Sequence, residues 1–371
     1  MMWLPITALG AVACVIPIVH GAVRDCGQPP SGSQAFWVLG CAKPIVVERA
    51  DPIVNPGKPS NHVHTIMGGD AFDLEMDFQK TQTSTCTTCG VTKDLSNYWV
   101  PTVYFLANNG SFLDVKQVGG INIYYQERMD WTDYCAGKTL QPFPPEFRMV
   151  AGDMTLRSYN YSSMEQRAIE FICLPANGEA GLDPFPGFPN RTCNGGLQLR
   201  VRFPSCWDGK NADSKDHQSH MAYPSGLDNG FCPDTHPVRV PSLLYENTWD
   251  VAAFNHLRKP GDQPFVLSQG DPTGYGYHGD FLNGWDTELL EKAIRDPSCG
   301  NSSGGRINFC KTFQPFFQNN TLQNLCPSIP LRVEEPVFDV LPTLPGCNPV
   351  QYGPQNAIIY PCDNNTTPRP T

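Results

Sequence analysis

In LQLRVRFP, residues 197–204, the apolar Leu197, Leu199, Val201 and Phe203 alternate with Gln198, Arg200 and Arg202. Successive side chains on a strand point to opposite faces, so this stretch predicts a strand with one buried and one wet face. Runs rich in β-branched and aromatic residues predict further strands: WVPTVYFLA (99–107), INIYYQ (121–126), AIEFICL (168–174) and QPFVLSQ (263–269). A helical rhythm occurs once, in WDTELLEKAIRD (285–296), where Leu289, Leu290, Ala293 and Ile294 share a face. Glycine, proline and asparagine cluster between these runs, and no internal repeat recurs at a fixed period. The expected fold is mainly β: an antiparallel β-sandwich or jelly-roll-like core with long disulfide-stapled loops and a few short helices.

The first 22 residues, ending HGA, are apolar and finish in small residues, the pattern of a removed signal peptide. No lysine or arginine precedes the apolar run, and a retained anchor is the competing reading, although Pro5 and Pro17 interrupt a span already short for a bilayer. Of 15 cysteines, Cys14 lies in this leader, leaving 14, an even number that allows up to seven disulfides in an exported chain. Cys86 and Cys89 have CxxC spacing; in an oxidising compartment two structural disulfides fit them better than zinc or redox exchange. Acceptor sequons at Asn109, Asn160, Asn190, Asn301, Asn319, Asn364 and Asn365 agree with export. Residues 23–347 have no linker-like composition and are expected to form a single domain, followed by a Pro/Asn/Thr-rich tail at 348–371.

The formal charge of −10, with no basic run, excludes a nucleic-acid partner and favours neutral or cationic ligands. Neither GxSxG nor HExxH nor a phosphate-cradling glycine loop occurs. Chemistry therefore has to come from the 8 histidines and their acidic neighbours.

Three segments concentrate these groups. In PSNHVHTIMGGDAF (59–72), His62 and His64 flank Val63, so a strand would point both imidazoles to one face, where they could bind a metal or divide proton transfer. The bland alternative is a pair of rings bonded to backbone carbonyls at a strand end. In FPSCWDGKNADSKDHQSHMAYP (203–224), a helix would place Asp213, Asp216, His217 and His220 on one face, a carboxylate fixing the tautomer of an imidazole. A polar capped loop is the alternative there. In SQGDPTGYGYHGDFLNGWD (268–286), His278 lies two residues from Asp280 among Tyr275, Tyr277 and Trp285, and glycines permit close approach of backbone to ligand. A self-packed aromatic loop would read the same way. His236 and His256 are expected to be structural and superficial.

Taken in order, NHVHTIMGGDAF, DLSNYWVPTVYF, FRMVAGD, FPSCWDGKN, DSKDHQSHMAYP, CPDTHPVRVP and HGDFLNGWD resemble the secreted fungal and bacterial DUF1996 family over roughly residues 50–299. The resemblance implies an exported protein in which the histidine and acidic words belong together; it implies no particular reaction.

The leading expectation is a secreted or cell-wall-associated enzyme that cleaves an extracellular polysaccharide, with no cofactor required and no membrane partner once the leader is removed. Its catalytic cluster is expected among His62, His64, Asp208, Asp216, His217, His220, His278 and Asp280, with Asp70, Trp207, Tyr275, Tyr277 and Trp285 against the substrate. Glycoside hydrolysis would draw two carboxyls from Asp70, Asp208, Asp216 and Asp280; lyase elimination would use a histidine or tyrosine base. Two alternatives stand beside it: a non-catalytic glycan-binding or wall protein, and a divalent-metal hydrolase or oxidase whose ligands are His62, His64 and one of His217, His220 or His278. Every enzymatic version requires the HVH and YHGDF words to converge on one pocket.

Overall fold

A computed structural model describes residues 35–177, 183–259, 261–300 and 304–362. The leader and the sequons at Asn301, Asn364 and Asn365 lie outside the described residues. Two five-stranded antiparallel sheets carry the fold. The first orders strands Phe36–Cys41, Gln117–Gln126, Ser242–Trp249, Leu197–Arg202 and Ile169–Cys173. The second orders Val46–Ala50, Pro59–Gly68, Asn97–Pro101, Gly279–Leu282 and Arg148–Ala151. The fold is mainly β, as the alternation predicts, and in Leu197–Arg202 burial alternates residue by residue.

The sheets pack face to face through Leu199, Val201, Tyr245 and Ile123 on one side and Met67, Tyr98, Met149 and Phe281 on the other. Gly279 shows how close they come: a Cβ there would stand 2.7 Å from Val201 Cγ1. The apolar area removed from water is the main source of stability. The second sheet is covered on its outer face too, where Ile66, Trp99, Val150 and Leu282 pack against Ile45, Phe72, Leu74 and Val333. This double coverage buries polar side chains on the outer face beside apolar ones.

The predicted helix runs Thr287–Arg295, capped by the Asp286 carboxylate on Leu289 N–H, and buries Leu289, Leu290 and Ala293. Six disulfides lie among the described residues: Cys41–Cys89, Cys86–Cys326, Cys173–Cys193, Cys206–Cys232, Cys299–Cys310 and Cys347–Cys362. The CxxC cysteines thus belong to two separate structural bonds. Asn109, Asn160, Asn190 and Asn319 are all exposed, as glycan attachment requires. No described helix is long and apolar enough to cross a membrane.

Candidate functional site

The site begins with parity in the Pro59–Gly68 strand. His62, His64 and Ile66 point to the outer face of the second sheet, Val63 and Met67 to the sandwich interior. Two strands away Asp280 stands opposite Trp99, which itself stands opposite Ile66, so Asp280 shares that outer face. His278 precedes Asp280 by two residues. The strand between them ends at Pro101, the partner of His64, whose short ring leaves room for imidazoles to meet across it.

There they meet. His62 Nε2 lies 3.1 Å from His278 Nε2, and His64 Nε2 lies 3.4 Å from the same atom. All three rings are buried. Two tautomers are fixed by backbone: His64 Nδ1–H donates to the Ala50 carbonyl at 3.0 Å, and His278 Nδ1–H to the Gly276 carbonyl at 2.9 Å. Both Nε2 atoms are then bare lone pairs facing each other. His62 can give one N–H to His278, which leaves its own Nδ1 buried without a partner. No arrangement of protons on neutral rings satisfies all three. Protonation is disfavoured as well, since burial, then the neighbouring imidazoles, hold His62 and His64 well below the usual range, and burial holds His278 down at about 4.

The spacing matches a metal. Two nitrogens bound at about 2.05 Å to a tetrahedral ion stand about 3.3 Å apart. The three ligand nitrogens lie within 4.8 Å of one another, and carbonyl-anchored Nδ1–H groups are the usual means of aiming Nε2 at an ion.

A cavity of about 380 Å³ opens on this cluster, lined by His62, His278, Asp280 and Asp51 and by Lys215, Asp216, His217 and Gln218 of the 213–220 segment. Asp280 is 1% exposed and neither carboxyl oxygen has a hydrogen-bond partner. Burial, then the nearby Asp51 carboxyl, pushes Asp280 well above the usual carboxylate range. Asp51 is itself raised by burial, against N–H donors from Val54 and Ile53 and the charge of His217. Gly152 also lines the cavity in a positive-φ conformation (100°), where a Cβ would stand 2.6 Å from the Tyr277 carbonyl. A larger cavity of about 710 Å³, with Val46, Leu331 and Phe338 in its walls, includes no histidine and no cluster of ligating groups.

The segment 213–220 is not the expected helix. Asp213 and Asp216 spend their oxygens on local turns, Asp216 Oδ1 accepting from Ser219 N–H at 2.9 Å and Ser214 Oγ at 2.8 Å. His217 adopts a left-handed φ of 57°, which a helix excludes. The turn still delivers the expected pairing, His217 Nδ1 to Asp213 Oδ1 at 2.8 Å. His220 parts from it: buried against Phe147 and bonded to Ser214 Oγ at 2.8 Å, it is not part of the cavity wall. Asp208 caps the turn at Lys210 and Asn211, and Asp70 caps Thr85 and Cys86, both outside the cavity.

The aromatic expectations fare differently from the histidines. Tyr277 and Trp285 are 0% exposed, Trp285 donating its indole N–H to Tyr125 Oη, so neither offers a face to a sugar. Trp207 is half-buried, tied to the Asn211 carbonyl, and Tyr275 packs with Tyr159 near the exposed Tyr161. None of these lines the cavity. Glycine-rich flanks here serve tight core packing. Conversely, Asp51, Asn61, Asp153 and Gln218 line the cavity without having been singled out. Asn61 adjoins His62 and Asp153 closes FRMVAGD, so proximity to the family words was a usable signal; Asp51 had none. His236 is half-buried with Nε2 on the Ser219 carbonyl, and His256 is exposed, both as expected.

A family model described as a domain of unknown function, DUF1996, matches residues 51–285, which span every residue of this cavity. No curated protein and no solved structure matches the chain.

Proposed function

The chain belongs to the DUF1996 family, whose description assigns no reaction, and from the site itself we propose a metal-dependent hydrolase acting on an acyl ester or amide of a polar, non-anionic substrate such as a sugar unit. The observation that carries the reading is the trio of converging Nε2 atoms, two with lone pairs aimed by backbone carbonyls. Neutral imidazoles suit zinc and its neighbours, and three protein ligands leave a position for water. Held by His62, His64 and His278, a zinc ion would supply a bound water of lowered pKa, about 7 in such sites, and a Lewis acid for a carbonyl. Asp280, two residues from His278 and with both oxygens unpartnered, adds a buried carboxyl to the same cavity.

The lining of the cavity supports this choice of substrate class. Lys215 is the only lysine or arginine among the lining residues, so the walls hold no basic cluster to seat a uronate or phosphate, which disfavours the lyase route. The volume of about 380 Å³ is at the small end for ligand pockets and suits one sugar-sized group, which Asn55, Asn61 and Gln218 can hydrogen-bond. Six disulfides among the described residues support an extracellular place of action.

A second reading has its own observation: Asp51 and Asp280, two buried carboxyls in one cavity, both raised, could serve as the acid pair of a metal-free glycosidase. One experiment separates the two. The protein, its His62→Ala/His64→Ala variant and chelated samples are assayed for metal by elemental analysis and for products on acylated and unacylated polysaccharides. The hydrolase reading expects a stoichiometric metal lost in the double variant and acyl release abolished by chelation. Glycosidic cleavage that survives chelation would replace it with the carboxyl-pair reading.

A further inference from the structure

In the same cavity as His62 and His278, one more imidazole is held in a way that packing alone does not require. His217 has a left-handed backbone, φ 57°, a strained conformation for a residue with a side chain. Three contacts impose it. The His217 carbonyl accepts from Val150 N–H at 2.9 Å, its N–H donates to the Ser214 carbonyl at 2.9 Å, and the next residue ties down through Gln218 Nε2 on the Gly152 carbonyl at 2.8 Å. Its Nδ1–H donates to Asp213 Oδ1 at 2.8 Å, and Asp213 is itself oriented by Ser214 N–H and by Arg148, whose Nε lies 3.9 Å from Oδ2. With Nδ1 so engaged, Nε2 is the free nitrogen of a cavity-lining ring that is 23% exposed at the side chain. The charged and titratable groups that share the cavity with it are Asp51, which follows strand Val46–Ala50, Lys215 and Asp216 from its own turn, Asp153 from the loop after strand Arg148–Ala151, and Asp280. His220, three residues on, lacks all of this: it is buried, carries no carboxylate on its ring and stays out of the cavity.

We propose that His217 is the general acid of the site, delivering a proton from Nε2 to the departing oxygen or nitrogen, and that Asp213 is its positioning residue. The proposal rests on the hydrolase reading above. In the step, water oxygen forms the bond to the acyl carbon and its proton goes to a cavity carboxylate; the bond from that carbon to the leaving atom breaks with its electron pair, and the leaving atom takes the His217 proton. Solvent then reprotonates His217 and accepts the proton from the carboxylate, so acid and alcohol or amine are the net products of ester or amide plus water.

The test uses the zinc-loaded full chain with two acetyl esters, 4-nitrophenyl acetate, whose leaving group departs unaided, and 6-O-acetylglucose, whose leaving group needs a proton. His217→Asn tolerates the left-handed backbone and cannot shuttle a proton. We expect it to keep full zinc stoichiometry, to change nitrophenyl ester hydrolysis by less than about threefold and to lose about 100-fold on the sugar ester. His217→Gly should lose as much and regain part of it with added imidazole. Asp213→Asn should lower kcat on the sugar ester with KM unchanged. Equal losses on both esters, or no loss on either, would overturn the proposal while leaving the hydrolase reading intact. A zinc-loaded wild type that cleaves neither ester overturns both.

Discussion

Two clusters of buried polar side chains flank the second sheet, and they are built on opposite terms. On the inner side Trp285 N–H donates to Tyr125, Tyr125 to Tyr98 and Tyr98 to the Asp94 carboxylate, each link 2.7 Å long, with Ser96 N–H on the remaining Asp94 oxygen. Every donor there has an acceptor. On the outer side His62, His64 and His278 approach as closely, yet their protons cannot be distributed so that each nitrogen is matched. Burying polar groups is therefore not the sign of function in this chain. The sign is three imidazole nitrogens brought together with lone pairs unmatched, a convergence that single orphaned atoms such as Trp37 Nε1 and Trp249 Nε1 lack.

The comparison can be broken at four points. Trp285→Ala, which empties a fully buried site and removes the first donor, should destabilise by about 3–5 kcal/mol in denaturant unfolding. The Asp94 carboxyl is pushed by burial from the ordinary 3.8 up to about 6. A raised carboxyl favours the fold while protonated, so its contribution is full only below the unfolded value of 3.8 and is lost as pH climbs through about 6. Asp94→Asn should thus gain on wild type by about 3 kcal/mol between pH 3 and pH 7, read from urea midpoints at each pH. At the trio, zinc in about 100-fold excess over its dissociation constant should stabilise wild type by about 2.7 kcal/mol in thermal melts and leave His62→Ala/His64→Ala unmoved. Smallest of all, His62→Leu in metal-free protein should alter stability by under about 1 kcal/mol, since it removes an unmatched polar ring. A loss of several kcal/mol there would place the trio with the structural networks and end the contrast.

What the sequence disclosed follows the range of the forces involved. The alternation in Leu197–Arg202, the single amphipathic helix and the shared face of His62 and His64 depend on residues two to four apart, and all were readable. The convergence of His278 on that face was readable only as a requirement, since it arises from strand register across Asn97–Pro101. Asp51 was invisible because its relation to Asp280 is wholly tertiary. The helical spacing of Asp213, Asp216, His217 and His220 misled, as capping side chains compete with helix and turned the segment into successive turns. Tyr277 and Trp285 misled for a related reason: aromatic residues among glycines read alike whether they face a ligand or fill a core.

Cys86 and Cys89 stand three positions apart, yet one bonds forward over 240 residues to Cys326 and the other back over 48 to Cys41. A protease that nicks the backbone anywhere between Cys89 and Cys326 therefore releases no fragment spanning that cut. The clipped molecule should run at full size on a non-reducing gel and fall into two pieces only when thiol is added.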